Sequence, residues 1–293
     1  MNAPVIDDQV GGHRPVILGA GVMGAGIATL ALGHGLPVLL IDVEEAALDR
    51  ARERIEQQLR MAEMMGALPA DVTPGRLSVS TSIPAAGGGT AVIEAITESA
   101  ELKAKALAEV SALVNDDTVL ITNTSSIPID ELAAAIPLRA QLVGTHFMNP
   151  SYLIRTVEVI RGAWTGDGAM ESVHTLLAAL RRTPVVVADA PGFVTSRILH
   201  PMINTAARVV QDGTANVEAV DALMQGCLGH PTGPLRTADL IGLDNLVDSL
   251  KVLYDRTGDE SCRPCDLLLE LVRKGDHGRK SGRGFYEYEG DLS

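Results

Sequence analysis

From Arg14 to Asp189 short apolar runs alternate with longer segments of helical period. PVILGA, PVLLIDV, LSVSTSI, AVIEAI, TVLITNT, LVGTHFM, TVEVI and PVVVAD predict strands. Between them the spacing predicts an Ala-rich helix from Gly24 to His34 and another over Leu102–Val114. A longer amphipathic helix, Ala46 to Met65, places Glu45, Asp49, Arg50, Glu53 and Arg54 outward. Strands alternating with helices predict a mostly parallel sheet covered on both faces. After Pro191-Gly192 the period becomes helical throughout, from Ser196 to Leu271, with no convincing strand. Gly213, Gly226, GHPTGP and Gly258 punctuate at least four helices there. The expected organisation is an α/β domain over residues 1–189, opening with a loose leader at 1–13, then an all-α domain over 190–293.

The first strand runs directly into Gly19-Ala20-Gly21-Val22-Met23-Gly24, a G-x-G-x-x-G turn that opens a helix. Gly19 permits the tight turn, Gly21 lets backbone approach a pyrophosphate, and Gly24 allows close helix–strand packing. Val22 and Met23 carry the N–H groups at the helix start, where an anion is favoured. Asp42 ends the next strand, 23 residues after Gly19, where a carboxylate accepts ribose hydroxyls and repels a 2′-phosphate. No Arg follows among Val43, Glu44 and Glu45. The first domain therefore reads as Rossmann-type, with NAD rather than NADP as cofactor.

Composition narrows the rest. Hydrophobic residues are 46% and charged residues 21% of 293, a globular balance, while aromatics are only 3%, so the core must be aliphatic. A formal charge of -13 argues against nucleic-acid binding, which needs concentrated Lys and Arg. No apolar run approaches the roughly 20 residues that cross a bilayer, and the N-terminus lacks the basic and apolar regions of a secretory signal. A cytoplasmic protein is expected, and three cysteines fit that setting. Cys227, His230, Cys262 and Cys265 have zinc-like spacing. His230 opens a turn, however, and the latter cysteines flank Arg263-Pro264 in an apparently exposed loop, so no metal is expected.

His146 in GTHFMNP ends one strand and Glu158 lies inside the next, TVEVI. Histidine suits proton abstraction from an alcohol near neutral pH. A charge inside an apolar strand is costly unless paired, so Glu158 is a candidate to orient that imidazole. On pattern alone, a capping His and a water-facing edge-strand Glu fit equally well.

These blocks, with NTSSIPI, PGFVTSRI, HPTGPLRTADLIGLD and GRKSGRGFYEY, occur in the order of the 3-hydroxyacyl-CoA dehydrogenase family, which the chain resembles over nearly its whole length. The run from Pro191 to Tyr288 looks especially like bacterial 3-hydroxybutyryl-CoA dehydrogenases. The resemblance implies NAD-dependent oxidation of a 3-hydroxyacyl thioester, or its reverse. It makes His146 the general base, Glu158 its orienting partner and Ser125 the residue that bonds the substrate hydroxyl. Ser125 is otherwise a β-to-α turn serine, as Thr124 and Ser126 equally are. Asn149 matches an asparagine beside the nicotinamide, although Asn before Pro is also an ordinary turn; Asn123 joins the cofactor-binding set, and Glu98 and Lys103 match residues that reach the cofactor's ribose and carboxamide region. Without the family, both of the last pair read as solvated helix charges.

Two departures bear on substrate. Ser196 stands where the family usually has Asn in PGFVxNR, a shorter group with one donor instead of an amide's two. The end of the long helix reads Arg60-Met61-Ala62-Glu63-Met64-Met65-Gly66, where CoA-using relatives commonly carry lysines. Met64 and Met65 would suit an adaptable surface for a carrier protein, or pack against the sheet. Acyl-CoA and acyl carrier protein both stand as substrate carriers, the latter with a polar group such as a glyceryl unit for an alkoxymalonyl extender. The acyl site is expected behind PGF and along the helix starting near Ser196. The outer faces of the helical domain predict a twofold homodimer. Two other readings compete. β-Hydroxyacid dehydrogenases share this architecture but use a helix lysine, which VTSRILHPMINTAARVV lacks. A non-catalytic NAD-binding or structural protein could share the fold.

Overall fold

The computed structural model describes residues 12–288. The chain divides into two compact units between Ala190 and Pro191. In the first, strands and helices alternate as β1 (Pro15–Leu18), α1 (Val22–Gly33), β2 (Val38–Ile41), α2 (Glu45–Met64), β3 (Leu77–Ser80), β4 (Ala91–Glu94), α3 (Ala100–Ser111), β5 (Val119–Thr122), α4 (Ile129–Ala133), β6 (Leu142–His146), β7 (Thr156–Arg161), α5 (Asp167–Ala179) and β8 (Thr183–Ala188). The strands form one sheet in the order β3-β2-β1-β4-β5-β6-β7-β8. Every pairing is parallel except β6 with β7. Sequence order turns back at β1 and β4, the switch point at which open α/β sheets bind ligands beyond their strand ends.

Inner strands are buried on both faces, which explains why PVIL, VLLI and AVIE read as continuous rather than alternating apolar runs. α1 is buried from Gly24 to Gly33; its small residues let it lie close against the sheet. Its core partners include Ile17, Leu40, Leu48, Ile55 and Ile93, all aliphatic. Cover is incomplete at β8. Val185 and Val186 are neighbours, hence on opposite faces, yet are 49% and 47% exposed. The expectation of cover on both faces therefore fails at this last strand, which has a neighbour on one side only. α3 starts at Ala100, earlier than the periodicity suggests, because Ser99 caps it by accepting from the Leu102 N–H at 3.4 Å.

The second unit contains α6 (Thr195–Gln211), α7 (Val217–Leu228), α8 (Pro234–Ile241), α9 (Leu243–Thr257) and α10 (Asp266–Lys274). Its core joins Ile203, Leu235, Leu246, Leu250 and Leu268 with Cys262 and Cys265. Two buried carboxylates tie the tail to these helices. Asp239 accepts from the backbone N–H of Phe285 and Tyr286 and from the Tyr288 hydroxyl, at 2.9–3.0 Å. Asp221 caps the start of α8 through the N–H of Leu235 and Arg236 and accepts from the Tyr286 hydroxyl. No helix among the described residues is long and apolar enough to cross a membrane.

Candidate functional site

At the end of β1 the chain turns through Gly19, whose φ of 101° suits glycine. A Cβ there would fall 2.6 Å from the Ala95 carbonyl oxygen, and one on Gly24 would collide with the Gly19 carbonyl. Around Gly21 the space is open: nothing lies within 4 Å of a Cβ built there. Gly21 is also the N-cap of α1 and brings no side-chain cap, so Val22 and Met23 present the helix's first N–H groups to that space. Asp42 follows β2; its Oδ2 accepts from the Ala20 N–H at 2.7 Å and its Oδ1 from the Glu44 N–H at 3.0 Å. The turn is thus pinned to the carboxylate beside it. Open backbone donors next to a braced acceptor fit a pyrophosphate joined to an unphosphorylated ribose, as in NAD.

His146 and Glu158 are directly opposed residues of the antiparallel β6–β7 pair, a register that puts both side chains on one face. His146 Nδ1 lies 3.1 Å from Glu158 Oε2, and both groups are buried. β7 is flanked by β6 and β8, so Glu158 is not a water-facing edge residue. The following segment is anchored twice. The Phe147 N–H donates to Asn123 Oδ1 at 2.9 Å, tying β6 to the end of β5. The buried Arg182 guanidinium donates to the carbonyls of Ser151, Tyr152, Leu180 and Arg181, holding the loop after Asn149-Pro150, a cis bond. Burial, with Arg155 nearby, brings that guanidinium down to about 10. Asn149 itself is exposed.

Glu98 and Lys103 are not the solvated helix charges that the residues alone suggest. Glu98 lies before α3, and its Oε1 receives the Thr124 hydroxyl at 2.6 Å, the Ser125 N–H and hydroxyl at 2.9 and 3.1 Å, and both Ser126 donors at 3.2 Å. One carboxylate oxygen therefore organises the whole turn that carries Ser125. Burial pushes this carboxyl up, but the Lys103 ammonium and the bonds from Thr124 and Ser125 outweigh it and hold it below the usual range. Lys103 is fully buried. Its Nζ reaches Glu94 at 2.7 Å, Glu98 at 3.3 Å and the Ile96 carbonyl at 3.3 Å.

Sequence reasoning missed Glu94, Thr122 and Arg182. The first was findable: Glu94 ends the apolar run AVIE, and the argument that singled out Glu158 in TVEVI applies to it equally. Arg182 carried no such signal, because its acceptors are backbone carbonyls.

In the second unit Ser196 is buried near the start of α6. One turn on, His200 Nδ1 lies 2.7 Å from Ser249 Oγ of α9, a buried polar pair the sequence did not reveal. The expectation that Cys262 and Cys265 lie in an exposed loop is wrong. They are 3% and 4% exposed, and burial raises both thiols. Among the described residues no group of three or more His, Cys, Asp or Glu could hold a metal.

Comparison with known proteins agrees with this layout. The family model described as 3-hydroxyacyl-CoA dehydrogenase, NAD binding domain, matches residues 15–190. The model of that family's C-terminal domain matches 192–288. A probable 3-hydroxybutyryl-CoA dehydrogenase of Deinococcus radiodurans is 40% identical over 93% of this chain and 99% of that protein. Among solved structures, Mycobacterium tuberculosis FadB2 is 34% identical with a TM-score of 0.88, covering 94% of this chain and 99% of the other. The (S)-3-hydroxybutyryl-CoA dehydrogenase of Ralstonia eutropha is 37% identical with a TM-score of 0.83, covering 95% and 99%.

Proposed function

The chain belongs to the 3-hydroxyacyl-CoA dehydrogenase family, NAD-dependent oxidoreductases, and on that premise we propose that it interconverts a short 3-hydroxyacyl thioester and its 3-keto form. The observation that carries this reading is the buried His146–Glu158 pair on a sheet whose other strands build the glycine turn and Asp42. NAD, when bound, supplies the hydride acceptor. His146 takes the hydroxyl proton as C3 becomes a carbonyl, and the Glu158 carboxylate fixes the ring's tautomer and stabilises its charged form. Ser125 hydrogen-bonds the C3 oxygen, its hydroxyl proton turning from Glu98 to reach it. The N–H groups of Val22 and Met23 hold the pyrophosphate beside Gly19, Gly21 and Gly24, and Asp42 takes the ribose hydroxyls. Glu98, Asn123 and Asn149 shape the nicotinamide end.

The test is oxidation of NADH by acetoacetyl-CoA, read at the NADH absorbance band. His146→Gln should lower kcat by about 10²–10⁴-fold, the usual contribution of a positioned base, with NADH affinity nearly intact. Wild-type kcat in that variant would remove His146 from the mechanism. Complete absence of turnover in the native protein with every short 3-ketoacyl thioester would leave the non-catalytic reading.

A carrier protein as the substrate's bearer is a second reading, favoured by one observation. Met61, Met64 and Met65 do not pack against the sheet; they are 51%, 84% and 56% exposed at the end of α2. Flexible thioethers there offer an adaptable docking surface where basic residues are few. Met64→Glu with Met65→Glu should raise KM for an acetoacetyl-carrier protein and leave KM for acetoacetyl-CoA unchanged. Equal effects on both would reject docking at this surface. Ser196→Asn tests the other departure, by a shift in preference among acyl groups.

The second unit also exposes Ile198, Leu223, Leu228 and Leu240, between 48% and 66%, which supports a twofold dimer through residues 190–293. Sedimentation at micromolar concentration showing only the 30.8 kDa species would reject it.

A further inference from the structure

Beyond His146 the chain is fastened at two points. The Phe147 N–H donates to Asn123 Oδ1 at 2.9 Å. Ser151 is 1% exposed, and its carbonyl receives Arg182 Nε at 3.3 Å and Nη2 at 3.1 Å. The same Nη2 reaches the Tyr152 carbonyl at 3.0 Å, while Nη1 turns to the carbonyls of Leu180 and Arg181, both at 3.3 Å. One buried guanidinium thereby ties this loop to the end of α5. Its acceptors are neutral carbonyls, so what holds the ion is geometry, a planar fork that spans two segments of chain at once. Asn149 is carried between the two fastenings and is itself exposed.

A third constraint comes from α1. Gly26 is buried, and a Cβ built there would lie 3.1 Å from Ser151 Oγ and 3.9 Å from Ser151 Cβ. The Ser151 hydroxyl is enclosed and makes no hydrogen bond among the described residues. Ser151 is thus brought close by the grip of Arg182 on its carbonyl, with glycine leaving the room, and not by a bond from α1. Helix propensity gives no reason for glycine here, since Ala is the better helix former. The close approach of the loop does.

We propose that Gly26 and Arg182 are positioning residues for the bound cofactor. Together they seat the loop 149–152 on α1, and so fix the distance between the helix start that takes the pyrophosphate and Asn149 at the nicotinamide end. Gly26 lies one turn beyond Val22 and Met23 on the same helix, so a loop pressed against it keeps step with the pyrophosphate site. Neither residue touches the cofactor. Asn149's place beside the nicotinamide is the reading given above, on which this inference rests; the test needs no acyl substrate.

The experiment compares NADH with ADP-ribose, which carries the same pyrophosphate and no nicotinamide. Gly26→Ala should raise the NADH Kd about fivefold or more and leave that of ADP-ribose within about twofold, because the added methyl displaces the loop but not the turn. Ser151→Ala removes the oxygen that faces this methyl, breaks no hydrogen bond and should bind both ligands as the native protein does. Combined with Gly26→Ala, it should bring the NADH Kd back to within about twofold of native. Arg182→Lys keeps the charge, loses the fork and should also weaken NADH alone. Equal losses for both ligands in Gly26→Ala, or no rescue by Ser151→Ala, overturns the proposal: the glycine would then serve only the packing of α1. Native binding of both ligands in Gly26→Ala overturns it too. If Arg182→Lys does not fold, the Gly26–Ser151 rescue still decides. Asn149→Ala isolates the underlying reading. An unchanged NADH Kd there would remove Asn149 from the nicotinamide end, while the rescue would still settle whether Gly26 seats the loop.

Discussion

Each unit holds a carboxylate cluster, with Glu94 buried and Glu98 exposed in the first and Asp221 and Asp239 buried in the second, and the two are built on opposite principles. In the first unit Glu94 and Glu98 meet a buried ammonium, Lys103, and the network ends on a half-buried serine turn beyond the strand ends. In the second, Asp221 and Asp239 meet backbone N–H groups and the hydroxyls of Tyr286 and Tyr288. Arg236 stacks over the Tyr286 ring at 4.0 Å rather than pairing with either carboxylate. The Asp cluster closes on itself and pins the tail to α7 and α8. The Glu cluster reaches the turn that carries Ser125. A carboxylate satisfied by backbone donors fastens chain to chain; one satisfied by a lysine that also grips a second carboxylate links a strand end to the segment before the next helix.

The sharpest way to separate the two is to remove one partner from each. Lys103→Met leaves Glu94 buried without its cation and should cost about 3–5 kcal/mol of stability, read by urea unfolding. A loss below 1 kcal/mol would mean that the pair is not electrostatically important. Asp239→Ala orphans two backbone N–H groups and a phenol and should cost less, about 2–3 kcal/mol, with NADH affinity unchanged in the folded fraction. Weaker NADH binding there would contradict a purely local fastening role.

Acid titration should also distinguish the clusters by sign. Burial raises the Asp239 carboxyl, outweighing its bonds from Phe285, Tyr286 and Tyr288. Its contribution is therefore complete below the ordinary 3.8 and is lost as pH rises through the raised folded value. Glu98 is depressed, so its contribution is complete above the ordinary 4.5 and is lost as pH falls through the folded value. Stability differences between wild type and Asp239→Asn, and between wild type and Glu98→Gln, should slope in opposite directions with pH. Parallel slopes would put both carboxylates in one class. The smallest expected effect is a control: Arg52→Ala breaks an exposed pair with Asp49, 3.2 Å apart, and should change stability by less than about 0.5 kcal/mol.

Much of this architecture was legible in the order of residues. Runs such as PVIL and VLLI, apolar at every position, announce strands buried on both faces. The Gly19–Gly24 turn followed by Asp42 announces a strand–turn–helix of the dinucleotide-binding type. Local regularities of this kind survive because strand, turn and helix formation depend on near neighbours. The tip of α2 was ambiguous for the converse reason: Met64 and Met65 serve a buried or an exposed face equally well, and only packing shows that they face outward. Cys262 and Cys265 misled in the other direction, since a Pro-containing loop can still be buried when α6 and α10 close over it.

Determined by the chain alone, then, were the two-part α/β and helical layout, the dinucleotide turn and the residue types available for proton transfer. Left to the tertiary structure was which charges meet. Glu94, Lys103 and Glu98 lie within nine residues of sequence, yet their pairing depends on β5 supplying Thr122 and the serine turn from the neighbouring strand. Whether His146 meets Glu158 rather than water depends on the β6–β7 register, in which a slip of one residue would send them to opposite faces. Long-range pairing sets such distances, and no local pattern encodes it.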